Sequence, residues 1–324
     1  MRQSQRLWQR HLPELVALLV VAIWGAGFAI TKFALDQFNV PAFMSLRYLG
    51  LLALSWGVLA WRIRRTGEPF RVARGDLPRL ALAGLLGYSF YIPLSTVGLS
   101  TTTAFSNALL VATAPLFMTL LTRLLRLETI GRRQVAGMLT ALAGIVVFVL
   151  PEVGAGAGPS GRGDLLSLAA ALFFAGYSVT SRSLLARYPL AALMASTLTI
   201  GTVPIILLSL SWMPAQAWSR ITPAGWAAFA WTVVVPVYVA WTLWNWVMAR
   251  LGVARASLFM YLVPIIGAGT SWVLLGEGFG PLKIAGAALT LVGLGVARRP
   301  AAPQRDPLRG PSGYRAGAAV RQVG

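Results

Sequence analysis

The chain has 324 residues, 57% of them hydrophobic and 11% charged, with mean hydropathy +0.70 and a formal net charge of +19. Soluble proteins carry about 25% charged residues, so this composition points to a membrane. There is no cysteine, and the single histidine, His11, lies in the polar N-terminal stretch. Disulfides, thiol catalysis, Cys-ligated zinc, histidine triads and clustered histidine metal sites are thereby excluded.

Taken in chain order, apolar runs of about 20 residues, each about 30 Å of helix, fall near 14–35, 41–61, 78–98, 101–123, 132–151, 164–184, 190–212, 223–248, 254–275 and 281–298. They predict an all-α integral membrane protein with ten transmembrane helices. The first run is too long for a signal-peptide core and no clean cleavage site follows it, so it reads as a retained helix.

The basic residues sort by connection instead of forming one surface, which argues against a nucleic-acid partner. Twenty-three arginines fall in the N-tail, the even-numbered connections and the C-tail, against Arg162, Arg220 and Lys283 on the other side. Basic residues mark the cytoplasmic side of short loops, so both termini are expected in the cytoplasm. The short loops and Ala/Arg/Gly-rich usage suggest a bacterial inner membrane.

A duplication runs through the chain. "PLFMTLLTRLLRLETIG" begins at Pro115 and "PIIGAGTSWVLLGEGFG" at Pro264, 149 residues later; Glu128 then matches Glu277, Gly131 matches Gly280, Gly137 matches Gly286 and Gly144 matches Gly293. Ten spans in two copies give five per copy. Five is odd, so the copies enter the membrane from opposite sides, as inverted repeats around a central cavity. The expected organisation is a cytoplasmic tail at 1–13, a first repeat at 14–151, an external Gly-rich linker at 152–163, a second repeat at 164–298 and a basic, disordered tail at 299–324.

At this point "WGAGF" (residues 24–28) with Lys32, Pro41 followed by Arg47, and the proline-to-glutamate helix with its Gly-rich successor in both copies resemble the EamA-type branch of the drug/metabolite transporter superfamily. The likeness covers residues 14–298. The second copy departs from it: Phe174 and Ala175 stand where the first has Trp24 and Gly25, and no arginine follows Pro189 at the matching distance. The resemblance implies a ten-helix bundle, a central cavity lined mainly by spans 1, 3, 4, 6, 8 and 9, and export or exchange of amino acids or small metabolites.

Several residues are candidates for the working parts. Pro115 and Pro264 sit inside spans and free carbonyls that lipid cannot satisfy; each is a hinge, or else a fixed packing kink. Pro93, Pro204 and Pro236 add further kinks. Glu128 and Glu277 lie at span ends, where a carboxylate suits a helix N-terminus, and read as caps.

Tyr88 and Tyr91 share one face of span 3, and an offset of 150 carries them onto Tyr238 and Trp241 of span 8 and carries Ser95 onto Asn245. With Trp24, Phe28, Asn107 and Tyr177 they suggest an aromatic box for an organic solute, the alternatives being ordinary packing or an interfacial belt. Trp244 and Trp246 are expected to face lipid or neighbours. Lys32 and Arg47 are the intramembrane cations. Lys32 has Asp36 four residues on as an ion-pair partner; Arg47 would either contact a substrate carboxylate or cap a helix end.

No acid falls mid-span, which disfavours a proton carrier of the buried-carboxylate type. The leading expectation is a secondary transporter, functional as a monomer and embedded in lipid, moving a small molecule without cofactor or metal. The alternatives are a membrane enzyme acting on lipid and a non-transporting assembly protein.

Overall fold

Each apolar run corresponds to helix in the computed structural model, which describes residues 2–67, 71–125, 131–154 and 159–297 and shows no strand among them. We number the helical passages α1 (Arg2–Leu35), α2 (Val40–Thr66), α3 (Arg74–Thr101), α4 (Ala104–Leu124), α5 (Arg132–Gly154), α6 (Pro159–Leu185), α7 (Leu190–Ala215), α8 (Pro223–Leu251), α9 (residues 253–275) and α10 (Pro281–Ala297). Seven of these (α1 from His11, α2, α3, α4, α6, α7 and α8) are long and apolar enough to cross a membrane; Phe259–Leu275 and Pro281–Val296 are shorter apolar helices.

The expected tail at 1–13 is helical from Arg2, continuous with α1 through Pro13. Helix α6 begins at Pro159, inside the expected linker. Glu128 and the segment 299–324 lie outside the described residues.

Local chemistry explains the ends. Asn39 accepts from the Ala42 N–H at 2.8 Å, with Pro41 in the first turn of α2; Thr103 and Thr222 do the same for Ser106 and Gly225, each at 3.0 Å. These side chains satisfy amides that the helix itself leaves open. Gly67 and Gly276 close α2 and α9 at φ 69° and 65°, a left-handed turn that costs glycine least.

Helix contacts in the bundle include α1 with α8 and α9, α6 with α3 and α4, α7 with α2 and α3, α4 with α9, and α5 with α10. Several crossings depend on glycine. A Cβ on Gly98 would lie 2.8 Å from the Gly163 carbonyl, and one on Gly163 would lie 2.8 Å from the Gly98 carbonyl, so α3 and α6 meet backbone to backbone. Without a hydrophobic force between helices in lipid, such close packing is a main source of association. The periphery is apolar: Leu207, Leu208, Trp272 and Val273 are all strongly exposed, Leu208 at 72%. A multi-pass membrane protein accounts for that surface.

Candidate functional site

The prolines and aromatic residues of the central helices converge on one cavity. Helix α4 breaks at Ala112 and Thr113, and Pro115 opens its second segment, Ala114–Leu124. Helix α9 passes from a 3-10 turn, Ser257–Leu262, into Val263–Leu275, with Pro264 in the first turn. Each proline therefore starts a segment, where its missing N–H costs nothing, instead of interrupting a continuous helix. The residue four before each proline, Val111 and Met260, lines the cavity, with Ala112 and Val263 beside them.

Two π-helical turns contribute from the other helices. Leu85–Tyr91 in α3 precedes the lining residues Tyr91, Ile92, Ser95, Thr96 and Leu99; Val233–Val239 in α8 carries Pro236 and Val237, with Trp241 one turn on. A π turn leaves carbonyls without their usual partners. Trp24 Nε1 donates to the Pro236 carbonyl at 2.9 Å, and the Tyr48 hydroxyl donates to the Tyr88 carbonyl.

The remaining wall is Trp24, Phe28 and Thr31 from α1, Arg47 from α2 and Phe174 from α6. Phe174 meets Trp24 edge to face at 5.9 Å and Tyr91 at 4.9 Å. The space open to the centres of water molecules is about 70 Å³, room for more than one water.

Of the expected lining residues, the structure brings together Trp24, Phe28, Tyr91 and Trp241, with the intramembrane cation Arg47. Tyr88, Asn107, Tyr177, Tyr238 and Asn245 lie off the lining. Tyr88, Tyr177 and Asn245 are fully buried and form a plug of side chains packed around Trp241. Trp241 Nε1 donates to the Tyr177 hydroxyl at 2.7 Å, that hydroxyl donates to Asn245 Oδ1 at 3.0 Å, and the Tyr88 ring stacks on Trp241 at 5.0 Å. Trp241 is thus both wall and hub, because a polar group buried in lipid must find a partner.

Asn107 acts as a clamp. Its Nδ2 donates to the Ser95 carbonyl at 2.9 Å and to Ser167 Oγ at 2.8 Å, joining α3, α4 and α6. Tyr238 packs into the main apolar cluster. Trp244 is buried against Trp24 and Phe174, so its neighbours are protein and not lipid.

The sequence reading missed Thr31 and Thr96 as lining groups; Ser95 it marked only as the counterpart of Asn245. Their hydroxyls bond back to nearby groups, as Ser and Thr commonly do in apolar helices, so nothing in the pattern singled out the two threonines. Phe174 was visible only as a departure from Trp24.

Two charged residues are corrected, and a third joins them. Lys32 does not pair with Asp36, which is exposed; its Nζ donates to the carbonyls of Leu99 at 3.0 Å and Thr102 at 2.6 Å, at the end of α3. Open carbonyls at a helix end attract a cation more strongly than a solvated aspartate does. Glu277 caps a helix, but α4 instead of the α10 that follows it: its carboxylate accepts from the Ala104 and Phe105 amides at 2.7 and 3.2 Å. Asp164, in the opening turns of α6, is fully buried and accepts from the Thr102 hydroxyl at 2.5 Å.

Substituting Glu277 by alanine should lower stability by about 1–2 kcal/mol, read as an earlier unfolding transition in detergent. Glutamine, which keeps an acceptor, should recover part of that loss.

The EamA-like transporter family model matches residues 11–150 and again 161–298. The chain is 30% identical over 300 residues to a probable terminal-alkyne amino-acid exporter of Streptantibioticus cattleyicolor, covering 91% of this chain and 93% of that one. It is 28% identical to a probable amino-acid metabolite efflux pump of Salmonella typhimurium, over 86% of this chain and 92% of the relative. A crystal structure sharing 21% identity superposes with a TM-score of 0.63, covering 89% of this chain and 97% of the other.

Proposed function

The chain belongs to the EamA-like transporter family and is a small-molecule exporter; from that premise we propose that it moves amino acids or closely related metabolites through the cavity by alternating access. The two halves are then inverted five-helix repeats. Both termini lie in the cytoplasm of a bacterium, in its inner membrane, and a single copy contains the whole pathway.

Contacts that change places between the halves support this reading. If helices 1–5 map onto 6–10, the pair α1–α9 maps onto α6–α4 and α3–α6 onto α8–α1, and all four pairs pack together. Helices α5 and α10 run antiparallel, since Gly144 approaches Gly286 while Gly137 approaches Gly293. That is the relation an inverted duplication demands.

Contacts between the halves hold both ends. At one end Arg187 pairs with Asp76 at 2.7 Å and Arg255 with Glu14; at the other, Gln216 and Thr222 bind Gln37 while Glu277 and Asp164 hold the α3–α4 turn. Opening either side means releasing one of these sets, and the paired breaks before Pro115 and Pro264 are natural bending points.

The observation that carries the proposal is the cavity itself, walled by both halves and flanked by a proline break from each. The names of the relatives favour amino-acid solutes and favour transport over the enzyme and assembly readings. Counterflow in proteoliposomes tests it: uptake of labelled amino acids should accelerate when the lumen is preloaded with the same solute. Equal uptake into loaded and empty vesicles, across a panel of amino acids, would remove the proposal.

A further inference from the structure

The cavity contains one formal charge. Arg47 is 6% exposed, its Nε has no hydrogen-bond partner, and its guanidinium lies 5.4 Å from the Phe43 ring centroid. No acidic residue shares the lining. A buried cation without a counter-ion is costly and in a membrane protein marks a working group. The helix-end alternative lacks its contact: among the described residues Arg47 donates to no helix-end carbonyl, and the end of α3 is held by Lys32.

The other polar groups of the lining are complementary in an informative way. Thr31 Oγ1 donates to the Gly27 carbonyl at 2.6 Å, Thr96 Oγ1 to the Ile92 carbonyl at 2.7 Å, and Ser95 Oγ to Asn107 Oδ1 at 3.1 Å. A hydroxyl has one proton and two lone pairs, so each has spent its donor and retains acceptors. Toward the cavity the protein therefore offers one cationic fork, the Tyr91 hydroxyl, a set of acceptor oxygens and aromatic faces. A zwitterion fits this set: a carboxylate on the guanidinium, and an ammonium on hydroxyl oxygens or ring faces.

The duplication makes the site one-sided. Pro41 corresponds to Pro189, which places Ala195 opposite Arg47 in the second half, and Ala195 packs against Leu59 and Ala192. Among the described residues Arg47 is the one cation of the lining, so the two halves face the cavity unequally.

We infer that Arg47 binds the carboxylate of the solute, and that the chain selects zwitterionic amino acids with apolar side chains over the corresponding amides and simple amines. This rests on the cavity being the transport site. Hydrogen bonds to a buried charge are worth about 1.5–3 kcal/mol, so losing this one should weaken binding about tenfold to a hundredfold.

The test pairs L-leucine and L-phenylalanine with their carboxamides, using the purified full-length protein. Two readouts are taken: the ligand-induced shift in melting temperature, and counterflow in proteoliposomes. Wild type should be stabilised by an acid and not by its amide. R47Q should lose that response while melting, without ligand, close to wild type, because the contact it removes is the one with the Phe43 ring and no hydrogen-bonded group is orphaned. R47K, a point charge without the fork, should fall between them.

Equal stabilisation by acid and amide, no stabilisation by either acid, or a full acid response in R47Q would overturn the inference. The first two need no variant, so they hold even if R47Q misfolds. Acid-selective binding without counterflow would sink the transport reading while leaving the carboxylate site standing. Counterflow of acid and amide alike would do the reverse.

Discussion

W241A is expected to abolish exchange and to be the most damaging single truncation in the site. Trp241 touches Tyr88, Tyr91, Phe174 and Tyr177 with ring centroids 5.0–5.7 Å apart, while its indole N–H holds the Tyr177 hydroxyl. Removing it deletes part of the cavity wall and opens the plug beneath in the same step. Truncating a buried tryptophan costs about 3–5 kcal/mol. Here the Tyr177 hydroxyl loses its donor as well.

W241F separates the two roles. It keeps an aromatic face toward the solute but gives up the N–H, so it should lose about 1 kcal/mol from that bond and retain measurable counterflow. If W241A folds and exchanges at the wild-type rate, the aromatic wall takes no part in transport.

G201L should prevent the bundle from closing. A Cβ at Gly201 would meet the Gly84 carbonyl and lie 2.7 Å from Tyr88 Cβ, and one at Gly84 would lie 2.6 Å from the Thr197 carbonyl. The obstacle is backbone, which cannot turn aside as a side chain can, so α3 and α7 must separate. Overpacking typically costs about 1–3 kcal/mol, and more where nothing yields. Because α3 carries Tyr88 and Tyr91, the shift also displaces the plug from Trp241.

The measurement is the yield of monodisperse protein in detergent and its melting temperature, along the series glycine, alanine, leucine. A graded fall is expected. A G201L protein as stable as wild type would show that the two helices do not meet this closely.

Some of this was legible in the residues. Apolar runs about 20 residues long located the helices, because backbone groups in lipid have to bond within their own segment. Pro115 and Pro264, read as lying inside spans, each open a helical segment, and Tyr88 and Tyr91, assigned to one face by α-helical spacing, stand in a π turn with only Tyr91 on the lining. Spacing also marked Trp24, Phe28 and Trp241 as members of one aromatic group. It overreached for Tyr88, Tyr177 and Asn245: polarity in mid-span reads the same whether a side chain faces a solute or another side chain.

What the amino-acid sequence determined by itself is the membrane class, from composition, and the family resemblance, from motifs that no fold is needed to read; export or exchange was what that resemblance implied. Only the tertiary structure decided which aromatic rings front the cavity and which seal it, that Glu277 holds α4, that Lys32 serves the end of α3, and that Arg47 is left unpaired. The physical reason is range. Helical periodicity assigns a residue to a face, but its partner comes from helices 67 to 212 positions away, as with Lys32 and Leu99 or Trp24 and Pro236, and only packing brings them together.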